Sequence, residues 1–129
     1  MKSLLLDSHT VLWTLYEPVK LGMGSRDAIR NPDNSLFVSL ATIWELSNKA
    51  GVGRLPLVSS VETMIGRIHD LGASIVPITQ ADIVAAQKLP HHHADPFDRM
   101  LIAQARGLSL TLVTKDSKIA LYEVDILWA

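Results

Sequence analysis

Four acids stand where an α/β fold gathers functional groups: Asp7, Glu45, Asp98 and Asp116. Asp7 is the first charge after Leu4-Leu5-Leu6, and Asp116 closes the run Leu112-Val113-Thr114-Lys115. In open α/β sheets, ligands collect at the carboxyl ends of the strands. An acid set there lies close to apolar surface, where an unpaired carboxylate is costly. Two such acids repel unless a cation lies between them, and oxygen-only ligand sets select magnesium or manganese. That chemistry suits phosphodiester hydrolysis, with bound metal activating water and stabilising charge on the phosphate. The same acids could serve a phosphatase.

Each acid also has a plain structural reading. Asp95 and Asp98 sit at a helix start, where the macrodipole favours carboxylates. Glu45 precedes Lys49 by one helical turn, the favourable order for an exposed pair, although Ile43, Trp44 and Leu46 crowd it with apolar surface. Asp7 is the hardest to explain without a function.

The elements that must position these acids alternate along the chain. Residues 3–6 read as a first strand, with Ser8 as cap of a helix from His9 to Tyr16 that Pro18 stops. A weak helix spans Leu21 to Arg30, and Asn31-Pro32-Asp33-Asn34 is a turn. Leu36-Phe37-Val38 forms strand two. Ser39 caps a helix from Leu40 to Ala50 that Gly51 ends. Val52 to Leu57 is irregular. A helix over Ser59 to Leu71 starts with a capping box at Ser59 and Glu62. Ser74 to Ile78 is a strand whose Pro77 confines it to an edge or places the proline near its end. Thr79 caps a helix to Lys88. After the loop Pro90-His91-His92-His93-Ala94, a helix from Asp95 or Pro96 runs to Arg106 and stops at Gly107. Leu108 to Val113 is a fourth strand, Lys118 to Leu121 at most a helical turn, and Val124 to Leu127 a last strand. The alternation predicts an α/β fold with a parallel sheet covered by helices on both faces.

The totals agree with a single domain over residues 1–129, about two-thirds of whose extended surface is buried on folding. The apolar fraction of 48% argues against disorder, and the absence of cysteine removes disulfides and thiolate chemistry. A net charge of −1 is not that of a general nucleic-acid binder, but it is compatible with a metal-dependent nuclease. No run is long enough to span a membrane, and the N-terminus matches a secretory signal poorly, so a cytoplasmic protein is expected.

At this point the segments resemble a known family. Leu4-Leu5-Leu6-Asp7-Ser8-His9 with Leu12-Trp13, Val38-Ser39 through Trp44-Glu45-Leu46 to Lys49, Asp95-Pro96-Phe97-Asp98-Arg99 through Ala105, and Leu112-Val113-Thr114-Lys115-Asp116 occur in order across nearly the whole chain. Together they resemble PIN-domain ribonucleases, specifically the VapC-like toxins of type II toxin–antitoxin pairs. The resemblance puts the family's acids on Asp7, Glu45, Asp98 and Asp116, its catalytic polar residue on Thr114, and a subgroup's extra acid on Asp95. It implies an α/β three-layer α/β/α sandwich with a central mainly parallel five-stranded sheet, Mg²⁺ or Mn²⁺ as cofactor, RNA as substrate, a homodimer, and a cognate antitoxin that occupies the site or its groove. Asp7, Asp98 and Asp116 would hold metal. Glu45 would orient water or bind a second metal. Thr114 would position a water or a ligand carboxylate. Lys49 and Arg99 would contact RNA or brace carboxylates, with a structural salt bridge an equal alternative for Arg99, which follows Asp98 and lies four residues after Asp95. Ser39 is a further supporting candidate. The chain departs from the subgroup at Ser47-Asn48, where apolar or small residues are usual.

Other features resist a sharp reading. Adjacent His91, His92 and His93 lack zinc-ligand spacing and suggest a charge-variable contact with RNA or a partner. Trp44 and Trp128 lie in apolar runs and are expected in the core. Trp13, with Leu12 and Tyr16, fits a dimer or antitoxin surface. A phosphoaspartate-forming phosphatase would want an acid where His9 stands, and a non-catalytic PIN-like module would have lost an acid. A receiver domain fits poorly.

Overall fold

The computed structural model describes residues 1–55 and 58–129. The irregular stretch expected over Val52–Leu57 therefore lies partly outside the described residues. Five strands form one sheet: β1 (Ser3–Leu6), β2 (Ser35–Ser39), β3 (Ser74–Val76), β4 (Thr111–Thr114) and β5 (Ile126–Trp128). All pairings are parallel, in the order β3-β2-β1-β4-β5. Among the described residues the α-helices are α1 (Ser8–Tyr16), α2 (Met23–Arg30), α3 (Leu40–Gly51), α4 (Val61–Asp70), α5 (Gln80–Lys88) and α6 (Pro96–Leu108), and Pro18–Lys20 and Ile119–Leu121 form single 3-10 turns.

The central strand explains the layers. Leu4, Leu5 and Leu6 are fully buried, and each such side chain stabilises the fold by roughly 2 kcal/mol. Side chains alternate between sheet faces. Leu4 and Leu6 join one core with Val11 of α1, Ile29 of α2, Leu46 of α3 and Met64 of α4. Leu5 joins the other, with Ala86 of α5 and Leu101, Ile102 and Ala105 of α6. Among the described residues, α1 to α4 thus cover one face and α5 and α6 the other.

The order places a topological switch between β1 and β4, since the chain leaves β1 toward β2 and β3 but returns to its other side at β4. The register Leu6 beside Val113 brings the carboxyl ends of these strands level. The ladder continues one residue beyond β1, where the Asp7 N–H donates to the Val113 carbonyl at 3.1 Å. In this fold class the crevice at such a switch is where ligands bind.

Several boundaries differ from expectation. Asp7, rather than Ser8, caps α1, its Oδ1 accepting from the Thr10 N–H at 2.9 Å. Ser60 caps α4 in place of Ser59. A capping box does form, at Thr79 and Asp82 of α5. Strand β3 lies at an edge and ends at Val76, so Pro77 costs no ladder bond. Helix α6 runs through Gly107 to Leu108, because Ser109 takes the left-handed turn at φ 56°. The apolar Leu108 therefore closes a helix instead of opening β4. A side chain in that region costs energy that glycine avoids. Ser109→Gly is expected to raise stability by up to about 1 kcal/mol, read as a higher urea midpoint; an unchanged or lower midpoint would contradict the account of this cap.

Trp44 and Trp128 are not core residues, being 62% and 51% exposed. On α3 the core takes Ile43 and Leu46, which turns Trp44 outward with Leu40, one helical turn away. Trp44 rests edge-on against Phe97, with ring centroids 5.7 Å apart. Trp128 lies on the edge strand β5, whose Leu127 packs against the core. An apolar run in sequence does not specify which face a bulky member takes.

Candidate active site

A cavity of about 470 Å³ opens at the switch between β1 and β4, lined by Asp7, Glu45, Asp95, Asp98 and Asp116 with Ser8, His9, Trp13, Lys49, His93 and Lys115. Asp7, Glu45, Asp98 and Asp116 reach it from four different parts of the fold, and Asp95 shares the start of α6 with Asp98. Asp7 leaves the end of β1 and is 5% exposed. Its Oδ2 accepts from the buried Thr114 hydroxyl at 2.5 Å, and its Oδ1 from Thr10 N–H. The Thr10 hydroxyl donates to the Val113 carbonyl at 3.0 Å, which ties α1 to β4 beneath the site. Thr114 also accepts from the Asp116 N–H at 3.1 Å, so one hydroxyl links two of the four acids.

Glu45 is buried on the inner side of α3. One carboxylate oxygen accepts from the Ser8 hydroxyl and the other meets Lys49 Nζ at 2.9 Å. Lys49 itself remains partly exposed at the cavity wall. Ser39 is fully buried, and its hydroxyl accepts from the Ala41 N–H at 3.0 Å. It caps α3 and has no surface to offer RNA.

The Asp95-Pro96-Phe97-Asp98-Arg99 stretch is a helix start with divided duties. Asp95 Oδ1 caps α6, accepting from Phe97 N–H at 2.8 Å and from Asp98 N–H at 3.3 Å. Pro96 fills the first helical position, where no N–H is needed. Asp98 enters the cavity. Burial, together with the charges of Asp95, Asp7 and Glu45, pushes its carboxyl up to about 7 despite the opposing influence of His93. For Asp116, partial burial alone would raise the carboxyl, but hydrogen bonds from His93 and the Lys118 N–H bring it below the usual 3.8.

Arg99 corrects the expectation of an RNA contact or a carboxylate brace. It is 8% exposed and turns away from the acids. Its guanidinium donates to the carbonyls of Ala86 at 2.8 Å, Pro90 at 2.9 Å and Leu89 at 3.1 Å. It binds the end of α5 and the following loop to α6. Arg99→Ala removes a donor from all three carbonyls and leaves that of Leu89 without one, whereas Pro90 keeps the Tyr122 hydroxyl and Ala86 the Leu89 N–H; a cost of about 2 kcal/mol or more is expected in a denaturant melt. An unchanged midpoint would refute this structural role.

His93 is one of two cavity residues that sequence reasoning missed. Its Nε2 lies 2.7 Å from Asp116 Oδ2 and 3.0 Å from Asp98 Oδ2. The three side chains could together meet one metal ion. The histidine run carried no ligand spacing to signal this, because only one of the three rings turns inward. Lys115 was also missed. Its Nζ sits 5.1 Å above the Trp13 ring, which packs on His9, so Trp13 belongs to the cavity wall. A larger hollow of about 740 Å³, beside Lys88, Arg106 and Tyr122, contains none of these acids.

Against known families, residues 4–127 match the PIN domain model. The chain belongs to the PIN-domain family. Among curated relatives of PIN proteins, Ribonuclease VapC22 of Mycobacterium tuberculosis is 33% identical, with 92% of this chain and 91% of that protein covered. The PIN fold is equally plain in solved structures. VapBC2 from Rickettsia felis, solved with a DNA fragment from its promoter, superposes with a TM-score of 0.73 over 98% of both chains at 11% identity. DNA-bound VapBC from Salmonella typhimurium gives a TM-score of 0.67 over 99% of this chain and 98% of that one, at 16% identity.

Proposed function

We propose that this chain is a divalent-cation-dependent ribonuclease acting as the toxin of a toxin–antitoxin pair. The observation that carries the chemistry is the convergence of Asp7, Glu45, Asp98 and Asp116 on one cavity at the sheet's switch point. Kinship with a ribonuclease at 33% identity supports RNA as the polymer. The structural neighbours solved as VapBC support a protein antitoxin as partner. Cytoplasmic action and a homodimer are parts of the same reading.

The donor set fits a hard dication. It is made of carboxylates, and burial first, then the neighbouring acids, pushes the Asp98 carboxyl up to about 7, a strain that a bound dication relieves. Asp7, Asp98 and Asp116 would hold Mg²⁺ or Mn²⁺. When bound, the ion supplies charge compensation to the scissile phosphate and eases deprotonation of the attacking water. The chain's own residues do the positioning. Thr114 holds the Asp7 carboxylate in one orientation. Ser8 and Lys49 hold that of Glu45, which is left to orient the water and take its proton. Lys49 and Lys115, at the cavity wall, meet phosphates of the strand. Asp95 acts by fixing the first turn of α6 from which Asp98 projects.

The test is cleavage of total cellular RNA by purified protein with Mg²⁺ or Mn²⁺, with p-nitrophenyl phosphate assayed in parallel. RNA fragments that disappear with EDTA are expected. Turnover of the phosphate monoester without RNA cleavage would transfer the site to a phosphatase.

A further inference from the structure

The loop before α6 is held with unusual thoroughness for a surface connection. Arg99 binds its Leu89 and Pro90 carbonyls from below. The Tyr122 hydroxyl donates to the Pro90 carbonyl at 2.7 Å and accepts from the N–H groups of His92 at 3.0 Å and His93 at 2.9 Å. The Tyr122 ring also meets the His92 ring edge-on, with centroids 5.1 Å apart. Arg99 and Tyr122 are both buried. What they fix is one side chain, His93, of which only 9% is exposed.

The hydrogen bonds of that ring decide what it can do. Its Nδ1 accepts the Asp95 N–H at 3.1 Å, so the ring proton sits on Nε2. An Nε2 that carries a proton has no lone pair for a metal. It is instead a donor, shared between Asp116 Oδ2 at 2.7 Å and Asp98 Oδ2 at 3.0 Å. Carboxylates that ligate metals are themselves commonly oriented by such outer hydrogen bonds, whose loss typically weakens metal binding by about 10- to 100-fold.

We propose that His93, clamped by Arg99 and Tyr122, is a positioning residue for Asp98 and Asp116: it donates Nε2–H to both and fixes how they present their oxygens to a divalent cation, without ligating it. This rests on the reading of the acids as a cation site. It gives Arg99 of the Asp-Pro-Phe-Asp-Arg stretch a function at a distance, through the loop it anchors.

The experiment measures Mn²⁺ binding by calorimetry and Mn²⁺ coordination by pulsed electron paramagnetic resonance. The proteins are the full chain and its His93→Ala, His93→Gln and Tyr122→Phe variants. Glutamine places an N–H donor near the position of Nε2. His93→Gln is expected to bind within about threefold of the parent and His93→Ala about 10- to 100-fold more weakly, with Tyr122→Phe weakened in the same direction. The parent should show no ¹⁴N coupling from His93. A ¹⁴N coupling present in the parent and absent from His93→Ala would make His93 a ligand and overturn the proposal. Parental affinity in His93→Ala, or equal weakening in His93→Gln, would also overturn it while leaving the cation site standing. Absence of Mn²⁺ binding by the parent chain would overturn both. If His93→Ala does not fold, the glutamine variant and the parent spectrum still decide.

Discussion

Asp7→Asn is expected to lower the rate of RNA cleavage by roughly 1,000-fold or more, since about 4 kcal/mol of lost transition-state stabilisation corresponds to that factor. The fold should survive the change. Asparagine keeps an oxygen to accept the Thr10 N–H and cap α1, and the Thr114 hydroxyl can turn to accept from the new amide. What is lost is a negative charge at the carboxyl end of the central strand. Cleavage rate and the urea midpoint should be measured together. A folded Asp7→Asn protein that cleaves RNA at the parental rate would remove Asp7 from the chemistry.

The second large effect is on pH. In the unfolded chain Asp98 ionises near 3.8, whereas in the folded protein its carboxyl is pushed up to about 7. The folded state therefore holds the extra proton between those values. The stability this group contributes is complete below about pH 3.8 and is lost as pH rises through 7. Cation binding runs the other way, because the ligand must be ionised. Asp116 is lowered and stays ionised across this range. Mn²⁺ affinity should therefore rise with pH, by up to about tenfold per unit below 7, and level off above it. The thermal stabilisation given by Mn²⁺ should be larger at pH 8 than at pH 6. Affinity that is flat between these values would show that Asp98 is not among the groups that bind the cation.

The strand-end acids were legible from sequence because burial announces itself. Leu4-Leu5-Leu6 before Asp7 and Leu112-Val113 before Thr114 can only be sheet interior, and a charge immediately after such runs needs a purpose. The alternation of strands and helices carried the parallel sheet in the same way. His93 was not legible. Its place depends on Tyr122, 29 residues away, and on an Asp95 N–H that selects its tautomer. Arg99 was misread for a related reason. A charge beside an acid suggests a salt bridge, but α6 turns Asp98 toward the cavity and Arg99 toward the carbonyl end of α5. Trp44 shows the limit of apolar runs, since the helix period sends one member of Ile43-Trp44-Glu45-Leu46 outward while drawing the charged Glu45 in.

The most direct measurement of the central claim is the RNA cleavage rate as a function of Mn²⁺ concentration, for the parent chain and Asp98→Asn in matched folded preparations. The account predicts cleavage by the parent that rises to saturation with Mn²⁺ and vanishes with EDTA, and none above background in Asp98→Asn. Cleavage that persists in EDTA, or that Asp98→Asn carries out at the parental rate, would contradict it.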